Sequence, residues 1–244
     1  MLLDKLVIID SKYRDTTYST SSADFTIGAN VSYNIPPKKV RLKKLIIPFS
    51  FYVVNSYNNK LVVNIGALDI DVVLTNGNYD GTDFATELQS KLITATADAT
   101  FTVVLDAATK KLTIARVGAF SMILTDSTIN NVIGFGDADL TGAATYTATK
   151  ILSLSTKYIN IHSKGISREI GSYRSTSKVG RYIIETIPLN QNFGDNIVYE
   201  NTNVEYYDFE LLGDVDTFDF YLTDEYFNKI DLNGENWIVI LEFV

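Results

Sequence analysis

Residues 39–55 read KVRLKKLIIPFSFYVVN. In the first half Val40 and Leu42 alternate with Lys39, Arg41 and Lys43, the period of a strand with one face buried and one in water. From Leu45 onward the run is continuously apolar, as expected of a strand whose far end is buried on both faces. Pro36 and Pro37 precede the run and Pro48 interrupts it. Proline has no amide hydrogen to give to a ladder, so a bulge or bend is expected at Pro48. The same texture of short runs rich in Val, Ile, Tyr, Phe and Thr, divided by Asn, Gly, Asp and Ser, extends to both ends of the chain and marks a mainly β protein.

Working outward, the long strands expected are Leu3–Asp10, Lys39–Asn55, Ile151–Ile161, Arg181–Pro188, Asn196–Tyr199, Val204–Leu212, Val215–Leu222 and Trp237–Val244. Ser11–Ala23 is read as a polar loop and Ser163–Gly180 as a long basic one. Eight strands with long connections fit a single jelly-roll β-sandwich. The texture changes between residues 56 and 150. Leu61–Ile65 and Ile70–Leu74 read as a hairpin, and Asn76-Gly77-Asn78 as a turn with Gly77 at positive φ. Thr82–Ile93 reads as a helix, with Phe84, Leu88 and Leu92 on one face, Thr82 as N-cap and Glu87 paired with Lys91. Thr100–Leu105 and Lys111–Arg116 follow, joined by the turn Asp106–Lys110, then Phe120–Leu124 and a short helix at Ile129–Ile133. Two domains are therefore expected: a discontinuous jelly roll of residues 1–55 and 151–244, and a small inserted α+β domain of residues 56–150.

The chain of 244 residues is 46% hydrophobic and 20% charged, a globular composition. No apolar run approaches the roughly 20 residues that span a bilayer. The start MLLDKLVIID has neither a basic n-region nor a cleavage site, so no secretory signal is expected, and the Asn30-Val31-Ser32 sequon is discounted with it. Absence of cysteine excludes thiol catalysis, disulfides and zinc–thiolate clusters, and a single histidine, His162, excludes two-histidine metal sites. Asp69 with Asp71, and Asp137 with Asp139, are weak cation candidates lacking the ordered ligand set of a calcium loop. The glycines at 134, 136 and 142 lack the lysine and βαβ frame of a phosphate loop. His162 beside Ser163 is not a catalytic triad, and a structural or surface role is expected of it. The expectation is a protein that is not an enzyme and needs no cofactor. Among the aromatics, Phe218 and Phe220 are expected in the core, with Tyr207 and Tyr221 facing an interface.

The net charge of −8 is unevenly spread. Residues 1–60 hold 9 basic against 4 acidic side chains and residues 151–186 hold 6 against 2, whereas residues 187–244 hold 1 against 13. Opposite poles of this kind suit head-to-tail pairing between copies. Overall acidity argues against specific nucleic-acid binding.

Several motifs, in order, carry a resemblance: LVIIDSKYRDTTYSTSSADFTI (6–27), VRLKKLIIPFSFYVVNSYNN (40–59), NYDGTDFATELQSKL (78–92), FTVVLDAATKKLTIARVGAFSMIL (101–124), NNVIGFG (130–136), YINIHSKGI (158–166) and FYLTDEYFNKIDLNGENWIVILEFV (220–244). Together they resemble the penton-type minor capsid proteins of virophages, polinton-like viruses and related large DNA viruses. The resemblance implies a single upright jelly roll. It implies homopentamers at the icosahedral capsid vertices beside a double-jelly-roll major capsid protein and other minor capsid proteins, in virions assembled in the host cytoplasm. It further implies that residues 56–150 face outward. Within that reading Arg168, Arg174 and Lys178 are expected to meet acids on the next subunit, and Lys12, Tyr13 and Arg14 to contact the major capsid protein. The alternative reading is a virion-surface attachment or glycan-binding jelly-roll module. A hydrolase built from two acidic residues is a third.

Overall fold

The computed structural model describes residues 5–17, 19–28, 39–166, 182–202, 209–210 and 217–243. In chain order the strands are β1 (Lys5–Asp10), β2 (Asp24–Gly28), β3 (Lys39–Pro48), β4 (Lys60–Ile65), β5 (Leu68–Val73), β6 (Thr102–Leu105), β7 (Leu112–Met122), β8 (Leu140–Thr147), β9 (Tyr158–His162), β10 (Ile183–Pro188), β11 (Asn196–Glu200), β12 (Phe209–Glu210), β13 (Thr217–Thr223) and β14 (Ile238–Phe243). The helices are α1 (Gly81–Thr96) and α2 (Asn130–Ile133), with single 3-10 turns at Ser11–Tyr13 and Leu124–Asp126. The chain divides into two compact units, Met1–Phe51 with Thr156–Val244, and Tyr52–Ser155.

The described residues of the first unit form two antiparallel sheets, one of five strands and one of four. One runs β1-β14-β3-β11, with the short β12 pairing beyond β11 on β3; the other runs β10-β9-β13-β2. Numbering the eight long strands along the chain gives the orders 1-8-3-6 and 5-4-7-2, which is a jelly roll. The mainly β, jelly-roll reading of the sequence is the observed fold. Its inner faces alternate as the pleat demands. Val239, Leu241 and Phe243 of β14 and Val40, Leu42, Leu45 and Ile47 of β3 are buried against Phe25, Ile159, Ile161, Phe218, Phe220 and Leu222 of the other sheet. Aromatic rings join the layers: Trp237 stands edge-on to Phe25 at 5.7 Å and to Phe220 at 6.1 Å, and Phe218 meets Phe243 at 6.1 Å. At the β11/β10 side the Tyr199 hydroxyl donates to Glu185 Oε2 at 2.5 Å. Burial, then the Glu185 carboxylate, push the Tyr199 phenol above its ordinary range, so it stays a donor.

The details of β3 follow from its sequence. The inward set Val40, Leu42, Leu45, Ile47 slips by one residue between Leu42 and Leu45. A strict period of two would turn one half of the strand inside out. The register against β14 absorbs the slip. Ile240 faces Lys44 and the next residue, Leu241, faces Leu42, leaving Lys43 as the extra residue of a bulge. The bulge therefore lies at Lys43 and not at Pro48. Pro48 instead ends the strand, facing Asn196, and the apolar continuation Phe49–Phe51 packs ring against ring at 4.6 Å. β2 was not expected from sequence. It lies just beyond the Ser11–Ala23 stretch and pairs with β13. Of the expected strand Val204–Leu212, Phe209–Glu210 pairs with Val40 and Lys39 of β3, and the rest lies outside the described residues.

The second unit is a sheet of order β5-β4-β7-β6 with β8 on β7, and α1 covers one face. Phe84, Leu88 and Leu92 of α1 are fully buried, and Glu87 sits 3.7 Å from Lys91, as the spacing predicts. The N-cap is Asp80 and not Thr82: its carboxylate accepts from the amides of Thr82 and Asp83, both at 2.8 Å. The left-handed turn also differs from expectation. Gly66 (φ 58°) and Ala67 (φ 78°) close the β4–β5 hairpin, while Gly77 pairs with Val54 as an isolated bridge and is not in the left-handed region.

The cap assignment makes a clean test. Asp80→Ala leaves two helix amides without their acceptor and is expected to cost about 1 kcal/mol in urea denaturation, whereas Thr82→Ala stays within about 0.5 kcal/mol.

Candidate assembly surface

β1 runs directly into the first corner of the jelly roll. Asp10 ends the strand, and its carboxylate accepts from the Lys12 amide at 3.0 Å and lies 3.0 Å from the Lys12 ammonium. The ammonium sits 4.7 Å above the Tyr13 ring. The hydrogen bond to Asp10 raises the Lys12 pKa, so it stays cationic. Tyr13 is 70% exposed. Arg14 turns the other way, and one guanidinium nitrogen donates to the Ser11 carbonyl and to Asn236 Oδ1, both at 3.0 Å. Among the described residues the buried Arg14 Nε has no acceptor.

Beneath this corner lies a buried polar knot. Ser11 exchanges two hydrogen bonds with Trp237: its amide donates to the Trp237 carbonyl at 3.0 Å, and its hydroxyl accepts from the Trp237 amide at 2.9 Å. The Trp237 indole donates to the Ser22 carbonyl at 2.8 Å, and Ser22 Oγ donates to the Glu235 carbonyl at 2.5 Å. Lys12, Tyr13 and Arg14 thus share one short hydrogen-bonded turn, with Lys12 against Tyr13 and Arg14 held to Ser11 and Asn236. Sequence reasoning missed Asn236 and Trp237, which support that turn from the other end of the chain. Arg168, Arg174 and Lys178, the other expected contact residues, lie outside the described residues.

Among the described acids of the C-terminal third, Asp219, Asp224 and Glu225 are occupied locally. Asp219 accepts from the amides of Lys164 and Gly165 at 3.0 and 2.9 Å. Asp224 accepts from the amides of Tyr226 and Asn228, and Glu225 from the amide of Lys157. These carboxylates pin turns of their own subunit. Burial raises the Glu225 pKa.

The outward faces of the two sheets differ. On the β10-β9-β13-β2 sheet the outward row is polar and internally bonded. Thr186 Oγ1 donates to Asn160 Oδ1 at 2.8 Å, Asn160 Nδ2 donates to the Asp224 carbonyl at 3.1 Å, and His162 Nε2 shares a hydrogen bond with Thr223 Oγ1 at 2.9 Å. Tyr221, expected at an interface, stacks on His162 at 4.3 Å. His162 is fully buried, which makes it a structural histidine. On the β1-β14-β3-β11 sheet the outward residues are instead Leu6, Ile8, Ile46, Val198, Ile238 and Ile240, flanked by the ion pairs Arg41–Glu242 (3.6 Å) and Lys44–Glu200 (3.7 Å).

The acids weighed for chemistry have local partners. Asp69 accepts from Asn64 Nδ2 and Asp71 lies 3.7 Å from the Lys60 ammonium. Asp139 takes the Thr125 amide and hydroxyl, and Asp137 is 3.4 Å from Asn130 Nδ2. Among the described residues no cluster of three metal-ligating side chains occurs, and no helix is long and apolar enough to cross a membrane.

Ser11→Ala strands the buried Trp237 amide and is expected to cost about 1–3 kcal/mol in urea denaturation, whereas Tyr13→Ala leaves stability within about 0.5 kcal/mol.

No protein-family model matches the chain, and no curated protein matches it. Solved structures do. The Sputnik virophage particle determined by cryo-electron microscopy contains a similar chain, at 13% identity and a TM-score of 0.49 over 99% of this chain and 97% of that one. The mavirus penton protein matches at 12% identity and a TM-score of 0.52 over 98% of this chain and 99% of that one. The chain therefore has the fold of the mavirus penton protein, shared across nearly the full length of both.

Proposed function

We propose that this chain is a structural virion protein, a penton that forms homopentamers at the icosahedral vertices of a capsid. The observation that supports it is the combination of a jelly roll, in the strand order 1-8-3-6 and 5-4-7-2, with a compact unit inserted between its third and fourth strands. The likeness to the mavirus penton covers 98% of the chain and so includes that insertion as well as the sandwich.

On this reading the work of the protein is assembly, and no catalytic step is assigned to it. A five-membered ring is cyclic, so each contact joins two different patches. Lys12, Tyr13 and Arg14 suit the contact toward a double-jelly-roll major capsid protein, because Arg14 fastens the turn to Ser11 and Asn236 while the exposed Tyr13 carries large contact area at small entropic cost. Arg168, Arg174 and Lys178 would supply positive charge toward a neighbouring subunit, steering the encounter between acidic chains. The location is the capsid vertex of particles assembled in the host cytoplasm, with other minor capsid proteins as further neighbours.

The test is the mass and shape of the purified protein. Light scattering and negative-stain images are expected to give five-fold rings of about five times 27.2 kDa, and mixing with the major capsid protein is expected to place them at the vertices of assembled shells. A strict monomer that never enters shells, or one that binds glycans and stays outside them, would contradict the proposal.

A further inference from the structure

The outward face of a β-sandwich sheet ordinarily alternates to polar residues where water covers it. The β10-β9-β13-β2 sheet places a polar row on that side, Asn160, His162, Thr186, Tyr221 and Thr223, in which Asn160, His162 and Thr223 are themselves buried and bonded to their neighbours. The β1-β14-β3-β11 sheet does not. Its cross-strand registers stack Ile8 beside Ile240 and, one row over, Ile238 beside Ile46 and Ile46 beside Val198. With Leu6 this makes one aliphatic patch crossing all four strands. Leu6 is 58%, Ile8 68% and Val198 52% exposed. A run of six aliphatic side chains on one face is costly to leave in water and marks a contact surface.

We infer that this face is the surface on which a second copy of the same chain packs. Two observations select that occupant. The first is charge. The chain carries −8, so copies repel wherever acidic surfaces meet. This face is neutral in pairs, with Lys44 beside Glu200, Arg41 beside Glu242 and Lys12 beside Asp10 around the aliphatic centre. It gives a strongly charged partner nothing to recognise and lets a second acidic copy approach without repulsion. Apolar centre and polar rim are also the usual anatomy of a protein contact. The second is size. Four strands about 4.8 Å apart and roughly six residues long make a face of about 20 by 20 Å, so two copies bury about 800 Å² through this face alone, the size of a weak contact that a ring reinforces with its other patch.

The inference deepens the penton proposal and rests on it. In a ring this face is one of the two patches each subunit needs, and it meets a different surface of its neighbour. β1 also pairs on one side only among the described residues, which leaves the same patch bordered by a strand edge.

The native chain has no cysteine, so single introduced thiols report their own sites. Ile8→Cys and Val198→Cys are compared with Leu68→Cys, a position 68% exposed in the other unit. At concentrations where the oligomer forms, maleimide labelling at positions 8 and 198 is expected to slow at least about tenfold relative to the diluted monomer, with position 68 unchanged. Ile8→Glu is expected to raise the dissociation constant at least ~100-fold in sedimentation equilibrium, because it buries a charge in an aliphatic contact. Its thermal unfolding should match that of Ile8→Val. Rings that persist in Ile8→Glu, with position 8 labelling at the monomer rate, overturn this inference and leave the penton proposal standing. A dimer with the face protected supports the inference and contradicts the ring. A monomer at every concentration overturns both.

Discussion

The structure depends on a zipper between the two ends of the chain. Lys5 to Asp10 pair residue by residue with Phe243 to Ile238, and the resulting β14 sits between β1 and β3 as an interior strand. Bringing segments so distant in sequence together costs loop-closure entropy before any burial offsets it. The offset is concentrated just before β14. Trp237 is completely buried, touches Phe25 and Phe220 of the opposite sheet, and spends its three backbone and indole polar groups on Ser11 and Ser22. One residue thus ties the last strand to both layers and to the turn that follows the first strand.

That closure also sets what the outside of the molecule offers. Because β14 is interior, its outward residues Ile238 and Ile240 extend the aliphatic row of β1 to β3. The Lys43 bulge keeps Leu45 and Ile47 inward and thereby keeps Lys44 and Ile46 outward. Without it the lysine would enter the core and the apolar patch would lose its middle. The same backbone irregularity therefore serves both the sandwich and the surface. The opposite sheet shows the other solution: its outward polar groups bond to one another and to the Asp224 turn, so they need no partner chain to satisfy them.

Much of this was legible in the residues. Period-two runs located most of the strands, and Phe84, Leu88 and Leu92 located the buried face of α1. Phe218 and Phe220 were expected in the core and are buried there. Eight sandwich strands were expected; the described residues hold eight long strands and the short β12, and the long ones are not the same eight. β2 follows a polar run and is only five residues long, so its hydrophobic signal is slight. The Val204–Leu212 stretch alternates well but pairs, within the described residues, only through Phe209–Glu210. Local chemistry misled at Thr82, since Asp80 two residues earlier is the better acceptor for helix amides. It misled again at Gly77, since the left-handed turn falls to Gly66 and Ala67. Lys12, Tyr13 and Arg14 were singled out as contact residues in a polar loop, but what holds their turn was not. The partners Asn236 and Trp237 lie more than 200 residues away, and nothing in local pattern encodes such a contact.

The most direct measurement is amide hydrogen exchange, followed by mass spectrometry, on the native chain and on Trp237→Leu. If the end-to-end zipper governs the sandwich, protection in β1, β2, β13 and β14 falls together and by a common factor in the variant. A loss of protection confined to residues 11–23 and 235–237, with β1 and β14 exchanging as in the native chain, would contradict it.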